Sequence, residues 1–187
     1  MSLKSGLYQI RWVPRHIKFP FVGGLYATGE TINAPVLAEA LGPSATGEQT
    51  WHVQPVDGKD NTYTIAYPGF SAPPGVNLGV GPVLPGWGLG KHRAGHVDPV
   101  VLSTNIAEWI ITIVDAENNV YQISEPSGLI GAVQAVTEEH DRVGITSLGM
   151  TSIAQTCHEQ LYVKSYPVIR DMPPLPRWQF VPASVPA

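Results

Sequence analysis

A threefold internal repeat restricts the fold of this chain more than any other feature of its sequence. Each unit opens with a tyrosine in a short run where polar and bulky residues alternate, at residues 7–10, 62–65 and 120–123. Each unit closes with a tryptophan that begins another strand-like run, at Trp51, Trp109 and Trp178. Alternation with a period of two is typical of a half-buried β-strand. The repeat therefore predicts three similar β units.

Two further candidate strands lie between the opening and the close of each unit, so the sequence predicts twelve strands. They are residues 24–27, 35–40, 87–90, 99–102, 129–133 and 160–164. Gly and Pro, with 19 and 18 copies, supply the turns that short strands need. The one alternative helix, 103–108, is too short to change the class. We expect a single all-β domain over 1–187, a β-trefoil with a six-stranded barrel, a hairpin cap and pseudo-threefold repeats of approximately 6–57, 61–115 and 119–183.

Composition argues against several classes of function. Charged residues make up 14% of the chain and the net charge is −4, so no basic stripe is available for nucleic acid. The sequence contains neither an apolar run long enough to span a membrane nor a signal peptide, so we expect a cytoplasmic protein. The single Cys157 excludes an internal disulfide and a cysteine-cluster zinc site. Because no spacing is typical of a catalytic pair or triad, we expect that the chain is not an enzyme. We also expect a monomer that needs no cofactor or metal.

Long loops are the candidate functional regions, because loops on a rigid scaffold often carry binding residues. Residues 67–86 contain no charged side chain, and ten of these twenty residues are Gly or Pro. An earlier loop ends in Gly23-Gly24, which permits positive φ angles and close approach of a partner to the backbone. In the same loop we expect an exposed apolar tip made of Phe19, Phe21 and Val22.

The order and spacing of several short motifs carry a family resemblance. They are Gly6-Leu7-Tyr8, Gly23-Gly24-Leu25-Tyr26-Ala27 and Pro35-Val36-Leu37-Ala38-Glu39-Ala40-Leu41-Gly42-Pro43, then Leu161-Tyr162-Val163-Lys164, Pro167-Val168-Ile169 and Pro176-Arg177-Trp178. The chain resembles the mycocypins, fungal β-trefoil inhibitors of cysteine proteases, and is most similar to the macrocypins. The resemblance extends nearly from end to end but is poor over about 66–100 and 130–158.

The resemblance implies reversible inhibition of papain-like cysteine proteases, such as papain and the cathepsins. Two loops would form a wedge across the protease cleft, and all catalytic groups would belong to the partner. The implied contact residues are Phe21, Val22, Gly23, Gly24 and Leu25 in the first loop, and Pro43, Ser44, Ala45, Thr46, Gly47 and Glu48 in the second.

Further sites and other functions remain open at the level of sequence. The resemblance implies a second site on the 67–86 loop, where Asn77 would be directed at legumain. Lys91 and Arg93 offer an alternative site for a trypsin-like serine protease. A ricin-B-type lectin is another alternative, although its Gln-x-Trp motif occurs here only once among the three closing tryptophans, as Gln49-Thr50-Trp51. A trefoil that binds proteins without inhibiting them is the third alternative.

Overall fold

A computed structural model describes residues 2–14, 18–42, 48–68, 84–90, 97–126, 132–137, 159–171 and 174–183. Within these ranges the chain forms thirteen strands and no helix. The strands are β1 Gly6–Val13, β2 Leu25–Thr28, β3 Leu37–Ala40, β4 Trp51–Pro55, β5 Thr62–Ala66, β6 Gly86–Leu89, β7 Val97–Ser103, β8 Trp109–Asp115, β9 Val120–Ser124, β10 Ala132–Thr137, β11 Glu159–Gln160, β12 Tyr162–Pro167 and β13 Arg177–Pro182. None of the described residues belongs to a helix that could cross a membrane.

Six of the strands close into a barrel. The antiparallel pairs run β1–β4, β4–β5, β5–β8, β8–β9, β9–β13 and back from β13 to β1. These are the first and last strands of each repeat, and in every repeat the opening tyrosine lies opposite the closing tryptophan. The pairs are Tyr8 with Trp51, Tyr63 with Trp109, and Tyr121 with Trp178. The repeated sequence pattern is therefore a repeated cross-strand pair.

Three hairpins, β2–β3, β6–β7 and β10–β12, form the cap. Their backbones meet in a ring of three hydrogen bonds. The Val36 N–H donates to the Val100 carbonyl at 2.9 Å, Val100 to Leu161 at 3.0 Å, and Leu161 back to Val36 at 2.9 Å. Leu161 interrupts the last strand of the third hairpin, which is why β11 and β12 are separate. A closed six-stranded barrel with three hairpins around one axis is a β-trefoil, as predicted.

The closing tryptophans occupy equivalent places in the core. Trp51, Trp109 and Trp178 are all fully buried. Each indole N–H donates to a carbonyl on the second strand of its own repeat, on Ala27 at 2.8 Å, Trp87 at 3.4 Å and Val136 at 3.0 Å respectively. Truncating one buried tryptophan to alanine typically costs about 3–5 kcal/mol. These residues hold the hairpins against the barrel.

Several predicted boundaries are wrong. The strand predicted at 129–133 continues to Thr137, because Val136 and Thr137 are buried and pair with β12, and its predicted start at 129–131 lies outside the described residues. Strand β7 begins at Val97 rather than at 99, and β1 continues to Val13. Residues 103–108, the alternative helix, contain a bend and an irregular stretch between β7 and β8. The number of units and their order are nevertheless those expected from the repeat.

Candidate functional site

The two loops of the expected wedge are connected to adjacent ends of the same hairpin. In the β2–β3 hairpin Leu25 pairs with Ala40, so the end of the first loop and the start of the second lie at the same edge. The far end of the second loop is held by the Gly29 N–H, which donates to the Glu48 carbonyl at 3.0 Å. Both loops are therefore anchored on the β2–β3 hairpin.

The described part of the first loop, residues 18–24, is only partly the apolar tip that was expected. The Phe19 and Phe21 rings pack together with their centroids 5.3 Å apart, and both side chains are half-buried. Val22 has a relative exposure of 102%. Aromatic rings that pack on each other and on the scaffold remain partly out of solvent. The exposed tip therefore consists of Val22, and the two phenylalanines support it.

Gly23 and Gly24 adopt the positive φ angles that glycine permits, 77° and 113°. A Cβ atom on Gly23 would have no neighbour within 4 Å. A Cβ atom on Gly24 would lie 3.3 Å from Cδ of Arg11 and 3.4 Å from the Phe21 ring. Because Gly24 has no side chain, the Arg11 side chain can lie against it. The sequence around Gly24 did not indicate this role.

Arg11 on β1 binds the backbone of the first loop through its guanidinium. Its relative exposure is 9%. Its Nη1 donates to the carbonyls of Phe21 at 3.2 Å and Gly23 at 3.1 Å. The guanidinium carbon lies 3.9 Å from the centroid of the Phe21 ring, a cation–π contact. Sequence reasoning missed this residue, although a charged side chain between Ile10 and Trp12 in a strand is the signal that could have drawn attention to it.

Gln179 on β13 holds the guanidinium of Arg11 from the neighbouring strand. The two residues lie opposite each other in the β1–β13 ladder, and Nη2 of Arg11 donates to Oε1 of Gln179. The other half of the same amide, Nε2, donates to the Asn118 carbonyl at 2.9 Å. Since both ends of the amide have partners, its orientation is fixed, and its oxygen faces Arg11.

Gln49 fixes the described end of the second loop. The side chain is fully buried, and its Nε2 donates to Oγ1 of Thr28 at 2.9 Å and to the Ala40 carbonyl at 3.2 Å. The neighbouring Glu48 is exposed. Burial raises the pKa of Tyr67, and the charge of Glu48 raises it further, so these two side chains lie within electrostatic reach of each other. Gln49 ties β2, β3 and the start of β4 together.

The remaining candidate residues lie outside the described part of the chain. They are Pro43, Ser44, Ala45, Thr46, Gly47, Asn77, Lys91 and Arg93. Cys157 also lies outside it. Among the described residues, no group of three His, Cys, Asp or Glu side chains is placed to hold a metal ion.

Comparison with solved structures agrees with the architecture. A crystal structure of a designed threefold symmetric protein, ThreeFoil, aligns with a TM-score of 0.54, covering 95% of this chain and 99% of that one. The two sequences are 15% identical, so this likeness concerns the fold alone.

Comparison with protein families indicates the class of activity. The family described as "Peptidase inhibitor clitocypin" matches residues 6–180, so the molecule is a β-trefoil peptidase inhibitor and not an enzyme. The chain belongs to the clitocypin family. It is 32% identical to Clitocypin-2 of Clitocybe nebularis over 130 residues, 70% of this chain and 76% of the relative. It is also 31% identical to Clitocypin of the same fungus over 129 residues, covering 69% and 77% of the two chains. The expected mycocypin family is confirmed, and the finer similarity to macrocypins stays a prediction.

Proposed function

We propose that the chain inhibits papain-like cysteine proteases reversibly by inserting residues 21–25 of the first loop and residues 43–48 of the adjacent second loop into the active-site cleft. The observation that carries this proposal is the fully exposed Val22 on a backbone that Arg11 fixes on both sides, at Phe21 and Gly23. Leu41, at the start of the second loop, adds a second half-exposed apolar side chain.

The physical argument is one of preorganisation. A loop that is already ordered loses little conformational entropy when it binds, so more of the contact energy is available as affinity. Full burial of one valine side chain in a protease groove is worth about 1.5–3 kcal/mol. Gly23 and Gly24 present backbone without a side chain beside that valine, so no side chain at these positions could enter a specificity pocket.

Titration of papain with the purified protein tests the proposal. The papain should first be calibrated with an irreversible active-site reagent, so that the stoichiometry of inhibition can be determined. We expect inhibition that is competitive with a small peptide substrate and that is reversed by dilution. Full papain activity in the presence of micromolar protein would contradict the proposal.

A 1:1 complex is expected, because the proposed wedge consists of two loops of one chain. Size-exclusion chromatography of the papain mixture measures the stoichiometry directly. A stable complex in which papain remains active would show that the contact lies outside the catalytic cleft, and the proposed two-loop wedge would then be wrong.

A second site, with Asn77 directed at legumain, is supported by the resemblance of the sequence. Comparison of legumain inhibition by the natural protein and by Asn77→Ala tests it, with papain inhibition as the internal control. The alternative of a trypsin-like target for Lys91 and Arg93 is tested in the same way with trypsin. The lectin alternative is tested by retention on immobilised galactose; Gln49 of the one Gln-x-Trp motif is buried and donates to Thr28 and to the Ala40 carbonyl.

A further inference from the structure

We propose that Arg11 is a positioning residue of the first loop: it makes no contact with the protease, but fixes the loop in the conformation that binds. This inference rests on the proposed function. It concerns what determines the affinity of the loop, rather than which residues enter the cleft.

The burial of Arg11 is the first part of the argument. A guanidinium with only 9% exposure needs partners, because an unpaired buried charge is strongly unfavourable. Among the described residues its partners are neutral: the carbonyls of Phe21 and Gly23 and the amide oxygen of Gln179. Two of these three oxygens belong to the first loop. If the loop moved away, Nη1 would lose both carbonyl acceptors and the guanidinium would lose its contact with the Phe21 ring, so these contacts stabilise the ordered loop.

The hydrogen-bond geometry of the Arg11 guanidinium is the second part of the argument. Nη1 donates to carbonyls two residues apart, which sets the path of the backbone around Val22. The plane of the same group covers the Phe21 ring at 3.9 Å. Lysine has a single point charge and cannot make both contacts in this planar arrangement. The conformation of the loop therefore depends on arginine specifically.

The hydrogen bonds that connect Arg11 to the β8–β9 turn are the third part of the argument. Gln179 donates to the Asn118 carbonyl at 2.9 Å, and Asn118 in turn donates from its side chain to Asp115 at 2.8 Å. The side chain of Asn118 holds the pKa of Asp115 below its ordinary value. A continuous set of hydrogen bonds thus runs from the β8–β9 turn through β13 to the first loop, and Arg11 is its last member before the loop.

The test uses three single variants of the full chain: Arg11→Met, Arg11→Lys and Lys164→Met. Methionine keeps an unbranched stem but removes the charge and the donors. Lys164 is the matched control, because it also places a cation over a ring, that of Tyr166 at 5.6 Å, but on β12. Two quantities are measured: backbone ¹⁵N order parameters of residues 21–24 in the free protein, and the association and dissociation rate constants with papain.

We expect the order parameters of residues 21–24 in Arg11→Met to fall from about 0.85 to below about 0.6, while the barrel strands keep their values. The association rate constant should fall about tenfold, because only the fraction of molecules with a closed loop is competent to bind. The dissociation rate constant should change little, whereas loss of a direct contact would raise it. Arg11→Lys should lie between the natural protein and Arg11→Met, and Lys164→Met should resemble the natural protein.

Unchanged order parameters in Arg11→Met would overturn the inference, whatever papain does. Lower order parameters with unchanged papain kinetics would overturn the link between Arg11 and inhibition. A natural protein that fails to inhibit papain would refute the proposed function, and the relaxation data would still decide whether Arg11 orders the loop. If Arg11→Met does not fold, Gln179→Met weakens the same contact from behind, and unchanged order parameters in that variant would overturn the inference as well.

Discussion

Gly23 and Gly24 are neighbours in the sequence, but the fold makes different demands on them. Gly23 needs only its positive φ of 77°, since the space around it is open. Gly24 has a φ of 113° and also lies against the Arg11 stem. A side chain is therefore strained at both positions and additionally crowded at Gly24.

We expect Gly24→Ala to lower the free energy of unfolding by about 1–3 kcal/mol and to weaken papain inhibition, because the loop must shift away from Arg11. Gly23→Ala is the matched control, with an expected cost of about 1 kcal/mol for its backbone angle alone. Urea denaturation of both variants measures the difference. Equal costs at the two positions would show that the contact with Arg11 is unimportant.

Val22→Glu is expected to weaken papain inhibition at least tenfold without changing the melting temperature, since a charge would have to lose its water in the protease groove. Val114→Glu is the control, because Val114 is an exposed valine on β8 that belongs to neither loop. Inhibition constants of both variants should be measured with the same papain preparation. Equal potency of the two variants would place the contact surface outside the first loop.

The candidate site was only partly predictable from the sequence. Gly23, Gly24 and Val22 could be identified because glycine pairs and exposed apolar residues carry local signals. Arg11 and Gln179 could not, because they are 168 residues apart and meet only through the register of β1 with β13. A contact of this kind depends on strand pairing, which a local pattern does not specify.

At the scale of secondary-structure elements, the β2–β3 hairpin carries both loops, and Gln49, just before β4, holds the hairpin together with Trp51. Its amide donates to Thr28 and to the Ala40 carbonyl. Removing the amide would leave the buried Thr28 hydroxyl oxygen without its donor, which typically costs about 1–3 kcal/mol.

We therefore expect Gln49→Leu to lower the free energy of unfolding by about 1–3 kcal/mol and Thr28→Val by about 1 kcal/mol. Because the two side chains share a hydrogen bond, the double variant should be less destabilised than the sum of the single ones. Chemical denaturation of the four proteins forms the cycle. Strictly additive effects would mean that the contact between Gln49 and Thr28 contributes no stability.

The elements themselves were largely predictable, and their boundaries were not. Trp51, Trp109 and Trp178 mark the last strand of each unit correctly because a large buried aromatic recurs wherever the repeat does. The predicted end at residue 133 is wrong for a different reason: pairing with β12 extends the strand to Thr137, and the partner strand is distant in sequence. Short strands in this fold receive their limits from neighbours distant in sequence.

At the scale of the whole molecule, the opening tyrosines form one cluster. Burial raises the pKa of Tyr8, and the nearby Tyr63 raises it further. Burial also raises the pKa of Tyr121, with smaller contributions from Tyr8 and Tyr63. One tyrosine from each repeat thus lies within electrostatic reach of the others, as expected near a pseudo-threefold axis.

This cluster predicts loss of stability in alkali. An unfolded tyrosine ionises near pH 10, while Tyr8 and Tyr121 keep their protons to higher pH in the folded protein. The unfolded state is then favoured as pH rises past about 10, because it releases protons first. We expect urea midpoints to be constant between about pH 8 and 9.5 and to fall above that. Phenolate absorbance at 295 nm reports the ionisation.

Tyr121→Phe is the control for this effect, since phenylalanine keeps the ring but cannot ionise. The variant should lose less stability between about pH 10 and 11.5 than the natural protein. An identical pH dependence in the two proteins would exclude Tyr121 as a source of the alkaline transition.

The ring of hydrogen bonds through Val36, Val100 and Leu161 has a consequence for how such proteins evolve. It is built from peptide groups, so its hydrogen bonds survive exchange among apolar residues of similar size but not replacement by proline, which has no N–H. Because the Val36, Val100 and Leu161 side chains are fully buried, the centre of the cap accepts only apolar exchanges, whereas the exposed loops of the three units can vary more freely. An inhibitor with this architecture can acquire new target specificities by mutation of one peripheral loop while the common axis is inherited unchanged.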